Sequence, residues 1–505
     1  MIPNFNIITN WLAQGQQSYQ RWRTALSRPP LQRPNLAQLA RNPAQLPGFV
    51  KECAVAQKYL SLLGRLDWDH FPERASGRAW PGSPPLARAP FVAAFLVKLQ
   101  EQKRYMSDLR TYLGEHPALI WLLGFELVPS EAYSWGFDPE ASLPNQRLFL
   151  TVLRTLDNSV LQFLLDNTVE LIRQELPPNL NFGQTISLDT KHIIAWVKEN
   201  NPKTFIKQGR YDKTRQPAAD RDCRLGVKKR RNQKKGKEPI TSTIPTPTTE
   251  GRPARNTAVT EIYWGYGSGV VATKIPDWGE FVLAELTLTF DRADVVYFFP
   301  LMQATERRLG FRPPFAALDA AFDTHYVYDY FNEAGGFAAV PFSLRGGPAP
   351  KQFDPEGRPL CPAGLAMTLR NTFLNRRGLF PCQQGRYGCP LLYPQPTGQS
   401  CPLNHKKWPK GGCTTTLVTS PGARIRHQLD RESETFKQVY QQRSATERIN
   451  ARAVELGIER PKLRNQRAIT NLNSLIYILL NLQALQRVCA RKQPLTQAPA
   501  RPSEP

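Results

Sequence analysis

The sequence predicts an α/β protein with an all-helical block near its N-terminus, and three observations lead to this prediction. Apolar residues recur at helical spacing between residues 91 and 175. Strand-like and helix-like segments then alternate from 183 to 344, which is typical of an α/β layer. A loop-rich insertion at 345–430 interrupts this alternation, and helical spacing returns after it.

The composition indicates a large, basic protein. The chain has 505 residues, and about 150 residues per domain predicts roughly three domains. Lys and Arg number 66 against 42 Asp and Glu, which gives a net charge of +24. Such a charge favours a polyanionic partner, with nucleic acid ahead of an anionic membrane. Eight cysteines are too few for a disulfide scaffold, so we expect a reduced, cytoplasmic protein.

No segment of the sequence predicts secretion or a membrane span. The chain begins without a basic n-region or a cleavage-like site. The most apolar long stretch, 475–485, contains Asn481 and is too short to cross a bilayer. We therefore expect no membrane partner.

Proline clusters divide the chain into predicted parts. These are a polar, proline-broken region at 1–90, a helical domain expected to bind DNA at 91–178, a first core part at 179–344, a Cys-, Pro- and Gly-rich insertion at 345–430, a helical second core part at 431–490, and a disordered tail at 491–505. Within the first core part, residues 203–257 are basic and poor in apolar residues, which predicts a flexible or DNA-facing insertion.

The core elements can be predicted individually. Strands are predicted at 185–197, 260–266, 270–274, 281–290, 315–318 and 337–344, and helices at 291–309, 326–333, 433–456 and 465–488.

Acidic residues at the ends of predicted elements are candidate metal ligands. Asp189 follows the apolar segment TISL, and ligands bind at the carboxyl ends of strands in open α/β sheets. Asp319 directly follows FAAL, whereas Asp323 precedes Thr324 and a predicted helix, where an N-cap stands. We assign Asp319 to metal binding and Asp323 to capping. For any one of these acids, a turn-capping role explains the same position.

Glu447 is predicted to share a helix with Tyr440 and Arg443. Offsets of 0, 3 and 7 residues place all three on one helix face. That face offers a carboxylate for metal, a guanidinium that can bind phosphate, and a phenol for hydrogen bonding. A surface helix with an ordinary Arg–Glu pair explains the same spacing.

Cysteines in the insertion form a candidate zinc site. The candidate ligands are Cys382, Cys389, Cys401 and Cys413, with Cys361 and His405 nearby. A bound metal could stabilise an insertion that has little hydrophobic core of its own, although the stretch contains no Cys-x2-Cys pair. Buried, reduced thiols are the alternative.

A basic run at 227–237 offers candidate DNA contacts. Lys228, Lys229, Arg230 and Arg231 lie in it and are suited to phosphate binding. A solvated loop is the alternative.

The order of several motifs resembles a known family. The pattern Tyr-x2-Arg-x3-Glu at 440–447 resembles the Y-R-E-K signature of bacterial insertion-sequence transposases of the DDE class. SLDTKHI at 187–193 is similar to the strand that carries the family's first aspartate. ALDAAFDTHYVYDYF at 317–331 resembles the second-aspartate strand and its helix, and 219–232 with 263–271 resemble the segment between them. The resemblance covers roughly residues 90–488.

The resemblance implies a ribonuclease-H-like (retroviral-integrase-like) core in which Asp189, Asp319 and Glu447 bind two Mg²⁺ or Mn²⁺ ions. It implies excision and integration of a DNA element by hydrolysis and strand transfer. The partners would be double-stranded DNA, as element ends and target, and a second copy in a homodimer in the bacterial cytoplasm, associated with the nucleoid. The family's lysine is expected seven residues after Glu447, where Val454 stands, and Arg452 is the nearby candidate for phosphate contact.

Two other functions stay open. A non-catalytic DNA-binding protein derived from a transposase would share most of the sequence pattern. A metal-dependent nuclease without strand transfer would share the acids. The long insertion between Asp319 and Glu447 and the helical block favour a transposase, because a plain nuclease needs neither.

Overall fold

The computed structural model describes residues 34–73, 87–201, 212–229, 260–343, 350–377 and 379–492. The first 33 residues, most of the predicted basic insertion and all but two residues of the predicted tail lie outside these ranges.

Helices build the part of the chain before the core. They are α1 (Leu36–Arg41), α2 (Gly48–Lys51), α3 (Ala54–Leu63), α4 (Ala89–Gln100), α5 (Met106–Glu115), α6 (Pro117–Leu123), α7 (Pro139–Ser142), α8 (Gln146–Thr155) and α9 (Asn158–Glu175). A two-stranded ladder, β1 (Val128–Pro129) with β2 (Phe137–Asp138), lies between α6 and α7. Side-chain caps fix the starts of α8 and α9, since Asn145 caps α8 and Asp157 caps α9. The predicted helical block is therefore present, but it is not helical throughout, because this ladder lies within it.

A mixed six-stranded sheet forms the centre of the protein. Its strands are β3 (Thr185–Ile194), β4 (Arg224–Lys229), β5 (Thr260–Ile275), β6 (Gly279–Thr289), β7 (Phe315–Leu318) and β8 (Phe337–Ala339). The order is β4–β5–β3–β7–β8. Strand β6 also pairs with β5, along residues 266–275, which follow the residues of β5 that pair with β4. Strands β4, β5, β6 and β3 are joined antiparallel, whereas β7 and β8 run parallel to β3. The predicted α/β class is confirmed.

Strand β5 differs from its prediction because its glycines do not interrupt it. The predicted strands 260–266 and 270–274 are one strand of 16 residues. A Cβ at Gly265 would stand 2.1 Å from the Ile193 carbonyl oxygen on β3. Glycine in this strand therefore permits close approach of a neighbouring backbone and does not mark a turn. The predicted strand at 337–344 is shorter than expected and comprises β8 only.

Helices cover the sheet and follow it in the chain. They are α10 (Phe298–Leu309), α11 (His325–Glu333), α12 (Gly422–Gln428), α13 (Glu434–Gln441), α14 (Ser444–Glu455) and α15 (Gln466–Lys492). The predicted helix at 433–456 is thus divided in two, between Gln441 and Ser444.

Helix α15 is the central helix of the core. It packs against α9, β6, α8 and α4, so the N-terminal helices and the sheet share one apolar cluster. Of the described helices, α15 is the one unbroken helix long and apolar enough to cross a membrane. The segment Pro139–Thr155, which comprises α7 and α8, passes the same test together with α9, from which it is bent by 77°. The expectation that the apolar stretch is too short is therefore wrong. However, 83% of the most apolar window of α15 is buried inside the protein, as in a core helix.

The insertion before α12 contains regular structure that its sequence does not predict. Strands β9 (Thr368–Asn375), β10 (Cys382–Gly388) and β11 (Thr414–Val418) form an antiparallel sheet in the order β11–β10–β9. Its side chains are mostly exposed or half-buried, which explains the weak hydrophobic pattern. We call residues 350–421 the insertion module.

Candidate active site

Two of the predicted acids lie at neighbouring parallel strands, although only Asp319 stands at a strand end. The expectation that Asp189 follows its strand is wrong, because β3 continues past it to Ile194. Asp189 lies on β3, and Asp319 is the residue directly after β7. The strands pair in parallel with Leu188 opposite Leu318, so the two acids have equivalent positions along the sheet. The negative charge of Asp319 acts on Asp189, as expected for neighbouring carboxylates.

The surroundings of Asp189 disfavour its charged form. Burial, and to a smaller extent the charges of Asp319 and Asp294, raise the pKa of Asp189 to about 6, although the Thr190 backbone N–H and the positive charge of Arg443 oppose them. Because the net effect is to raise the pKa, the ionised carboxylate is under-compensated here. A bound cation would supply the missing positive charge.

Asp319 is held by a local hydrogen bond. Its Oδ1 accepts from the Ala321 backbone N–H at 2.8 Å and caps the short 3-10 helix Ala320–Phe322. Metal-ligating carboxylates are commonly oriented by hydrogen bonds of this kind. The fixed turn therefore suits Asp319 to a ligand role.

Asp323 has neither of the roles weighed for it. The N-cap residue of α11 is Thr324, so the capping assignment is wrong. The buried Asp323 carboxylate binds Arg426 with both oxygens, at 2.9 and 2.6 Å. It also accepts from the Tyr328 hydroxyl and the Ser343 backbone N–H. Since donors occupy both oxygens, Asp323 is a structural acid that joins α11 to α12.

The third predicted acid, Glu447, lies in the first turn of α14. Tyr440 is on α13 and stacks on Phe436, whereas Arg443 is the N-cap residue of α14. The single helix that was predicted to carry all three residues is therefore not formed. Arg443 Nη1 lies 3.1 Å from Glu447 Oε1, and the Glu447 side chain is 54% exposed. The Arg–Glu pair expected as the alternative is present.

Arg443 is the group that connects the three acids. Burial lowers the pKa of the Arg443 guanidinium, but the negative groups around it outweigh burial and raise that pKa. Those groups are Tyr440, Asp189, Glu447 and Asp319, in decreasing order of effect. The half-buried guanidinium of Arg443 thus interacts electrostatically with all three predicted metal ligands.

The residues fit a divalent cation in part. Within the described ranges, no three His, Cys, Asp or Glu side chains are grouped closely enough to hold a metal ion. Asp189 and Asp319 offer the hard oxygen ligands that Mg²⁺ prefers, and their mutual repulsion is what a cation relieves. Glu447 would have to leave Arg443 to join them.

Arg452 and Val454 are the two residues considered at the missing lysine position. Arg452 Nη2 donates to Gln483 Oε1 on α15 at 2.8 Å. Burial and the nearby Arg487 lower the pKa of Arg452. Val454 lies on the Glu447 side of α14 and is 37% exposed. Arg452 therefore helps to hold α14 on α15 in this structure.

Part of the predicted basic insertion is regular. Lys228 and Lys229 are the last residues of β4, the edge strand that pairs antiparallel with β5. The expectation of a flexible insertion is therefore wrong for β4. The side chains of both lysines, and the whole of Arg230 and Arg231, lie outside the described residues.

The cysteines of the insertion module separate into two groups. One small cavity is lined by Cys361, Cys389, Cys401, His405 and Cys413. Cys382 does not line it and stands at the start of β10, where Gln384 Nε2 lies 3.6 Å from its sulfur. The cysteine set therefore differs from the predicted one by Cys361 in place of Cys382.

Two polar residues near Asp189 were missed by sequence reasoning. Asn450 Nδ2 donates to Asp189 Oδ2 at 3.1 Å, and the Asn450 Oδ1 atom is buried with no hydrogen-bond partner. Asp294 accepts from the Thr190 hydroxyl at 2.6 Å. Asn450 stands three residues after Glu447, so helical spacing carried a signal for it. Asp294 has no such signal, because only the fold brings it near β3.

Fold and site together define an α/β protein with a pair of carboxylates at neighbouring parallel strands. We found no match to the chain among protein-family models, curated proteins or solved structures. Function therefore has to be inferred from the sequence pattern and the geometry of the site.

Proposed function

We propose that the protein is a DNA transposase that excises and integrates an insertion sequence with two divalent ions at Asp189, Asp319 and Glu447. The observation that carries the proposal is the parallel pairing of β3 with β7, which puts Asp189 and Asp319 side by side. Arg443 interacts with the charges of both acids and also forms an ion pair with Glu447. This shared partner supports the inclusion of Glu447 as the third acid.

The proposed core is ribonuclease-H-like, and the strand order supports it. An antiparallel succession, β3, β5 and β6, comes first in the chain. Strands β7 and β8 then add to the other side of β3, each preceded by a helix, α10 or α11. Helix α14, which carries Glu447, packs against β3, β5 and β6. The resembling motifs occur in the same order along the chain.

The residues of the site have separate tasks in the proposed reaction. Bound Mg²⁺ or Mn²⁺ would activate a water or a 3′-hydroxyl and stabilise the leaving oxygen of a phosphodiester. Asn450 orients the Asp189 carboxylate. Arg443 partly neutralises the acids, and its guanidinium becomes available for a DNA phosphate when Glu447 turns away from it.

The net charge supports DNA as the substrate. Lys and Arg exceed Asp and Glu enough to give +24, and phosphate contacts dominate the affinity of such proteins for nucleic acid. Double-stranded element ends and target, a homodimer on DNA and a bacterial, nucleoid-associated location follow from the family resemblance alone.

The proposal is tested by removing single charges from the acids. Asp189→Asn and Glu447→Gln preserve side-chain shape and remove a ligand charge. We expect both variants to bind DNA that flanks the coding region as the unaltered protein does, but to lose Mg²⁺-dependent cleavage of it. Gel-shift and plasmid-cleavage assays measure the two properties.

Matched controls separate the site from general charge effects. Asp277→Asn changes an exposed aspartate, and Glu455→Gln changes an exposed glutamate on the same helix as Glu447, so both should retain cleavage. Cleavage by either site variant at the unaltered rate contradicts the assignment. DNA binding without any cleavage by the unaltered protein supports the non-catalytic alternative, and cleavage without joining supports the nuclease.

A further inference from the structure

The insertion module has little apolar core to hold it together. Its buried apolar cluster has five members, of which one is a cysteine and one comes from α12: Cys361, Met367, Tyr387, Leu417 and Ala423. A three-stranded sheet with so few buried side chains needs a further source of stability. Disulfides, a metal or contacts with the rest of the chain are the ordinary sources.

Four cysteines converge on one cavity in this module although they come from separate segments. The cavity, of about 10 Å³, is lined by Cys361, Cys389, Cys401 and Cys413. This is about the space that one water molecule needs. Cys361 and Cys389 are buried, and the other two cysteines are half-buried. The site is therefore enclosed but reachable from solvent.

Backbone turns present three of these cysteines. The carbonyl oxygens of Cys361, Cys389 and Cys401 each accept a hydrogen bond from the N–H three residues later. Cys413 instead directly precedes β11. A turn at each cysteine curves the chain around a common point, which is a suitable arrangement for ligands from different loops.

The Cys413 thiol lies near those of Cys389 and Cys361. A Cβ at Gly412 would stand 3.4 Å from the Cys389 sulfur. Burial, and then the negative charges that Cys389 and Cys361 would carry, raise the pKa of the Cys413 thiol to about 12. The charges of Cys389 and Cys361 would thus oppose ionisation of Cys413, a cost that a divalent cation removes.

We propose that Cys361, Cys389, Cys401 and Cys413 bind one Zn²⁺ ion that holds the insertion module together. Four thiolates are a common ligand set for structural zinc, and soft sulfur ligands select zinc over Mg²⁺. The side chains do not form a tight ligand group as they stand. Zinc binding would require the sulfurs to move to about 2.3 Å from the ion, and the displaced thiol protons would pass to solvent.

The zinc site is independent of the proposed DNA chemistry, yet its module is joined to the core near Asp319. Helix α12, which follows the module, binds α11 through the Arg426–Asp323 ion pair and through the Gly422 N–H, which donates to Asp329 Oδ1 at 2.6 Å. A Cβ at Gly422 would stand 2.1 Å from the His325 carbonyl oxygen, so the contact is close. Loss of zinc would loosen the module without altering a carboxylate.

The test measures zinc in the full-length protein. Protein purified in reducing buffer and dialysed against zinc-free buffer should retain one Zn²⁺ per chain by elemental analysis. Co²⁺ substituted at the site should give the sulfur-to-cobalt charge-transfer and d–d absorption of a tetrahedral thiolate site. Less than stoichiometric binding even after incubation with excess Zn²⁺, or a cobalt spectrum without sulfur ligation, would overturn the proposal.

Single Cys→Ser variants identify the ligands. C361S, C389S, C401S and C413S should each lose zinc or bind it far more weakly, whereas C382S, in the same module but outside the cavity, should retain it. If the ligand variants fail to fold, the cobalt spectrum of the unaltered chain still decides. Equal zinc loss by C382S contradicts the ligand set, and fewer than eight titratable thiols in denaturant would indicate disulfides in place of zinc.

Discussion

Asp189 and Asp323 show how neighbouring groups give two aspartates different tasks. Asp323 has four donors, including both sides of the Arg426 guanidinium fork, and its charge is fully compensated. Asp189 has the amide of Asn450 and stands beside the like charge of Asp319. A buried acid whose negative charge is balanced by donors and cations stabilises the fold. A buried acid whose charge is not balanced can bind a cationic ligand.

The first prediction at this scale concerns pH. The pKa of Asp189 is raised from 3.8 to about 6, so between these values the folded protein binds more protons than the unfolded chain. In metal-free buffer this residue stabilises the fold below its unfolded pKa, and that stability is lost as pH rises through about 6. Asp189→Asn should therefore gain stability relative to the unaltered protein over this range, by at most about 3 kcal/mol.

Urea unfolding in EDTA at several pH values measures this difference. Asp277→Asn, which changes an exposed aspartate, should show no such trend. A stability difference between Asp189→Asn and the unaltered protein that is constant from pH 4 to pH 7 would show that Asp189 is not perturbed.

The second residue-scale prediction concerns the Asp323–Arg426 pair. Arg426→Met leaves the buried Asp323 carboxylate without its partner, and breaking a buried pair costs about 3–5 kcal/mol. Lys437→Met removes one half of the exposed pair with Glu434 and should cost less than about 1 kcal/mol. Urea unfolding compares the two variants, and equal losses would contradict the structural role of Asp323.

At the scale of elements, strand β5 shows that composition can conceal a continuous strand. The sequence predicts two strands here, but the structure has one, with Gly265 where the β3 backbone approaches and Gly269 where the Tyr297 ring packs. Helices α13 and α14 show the opposite case. Their sequence has one continuous helical pattern, but the chain changes helix between Gln441 and Ser444.

The element-scale prediction is that Gly265→Ala destabilises the sheet. The new methyl group would meet the Ile193 carbonyl oxygen, a backbone atom that cannot rotate away. We expect a loss of about 1–3 kcal/mol in the free energy of unfolding. Gly48→Ala is the matched control, because a Cβ at the start of α2 meets open space. A loss no larger at Gly265 than at Gly48 would contradict the close approach.

At the scale of the whole molecule, the buried apolar core and the excess positive charge belong to different parts of the protein. The core uses α15 as a buried centre for both the N-terminal helices and the sheet. The excess of 24 positive charges has to lie mainly outside that core, where polyanions can reach it. In β4, where the basic run begins, Val227 is 47% exposed.

The prediction at this scale concerns salt. Replacing Lys228, Lys229, Arg230 and Arg231 with Ala should flatten the plot of log binding constant against log salt concentration by about 2 to 4 units. All DNA sequences should lose affinity nearly equally, because phosphate contacts do not distinguish bases. Binding isotherms at several salt concentrations measure the slope. An unchanged slope would mean that the run is a solvated loop.

The sequence by itself determined the fold class, most of the helical block, most strands of the sheet and the position of Asp319 at a strand end. Each of these rests on local information, namely apolar periodicity or a polar residue directly after an apolar run. Strand 315–318 was therefore predicted to the residue. The same logic failed for the insertion module, since its half-exposed strands have no clear apolar pattern.

Only the tertiary structure decided which groups are neighbours. The β3–β7 pairing, the burial of Asp323 against Arg426, the place of Asn450 beside Asp189, and Cys361 in place of Cys382 at the cavity all depend on contacts between segments far apart in the chain. Periodicity reports which face of an element is buried, but not which element covers it. The charge and the solvation of a functional group depend on that covering element, which is why the site required the fold.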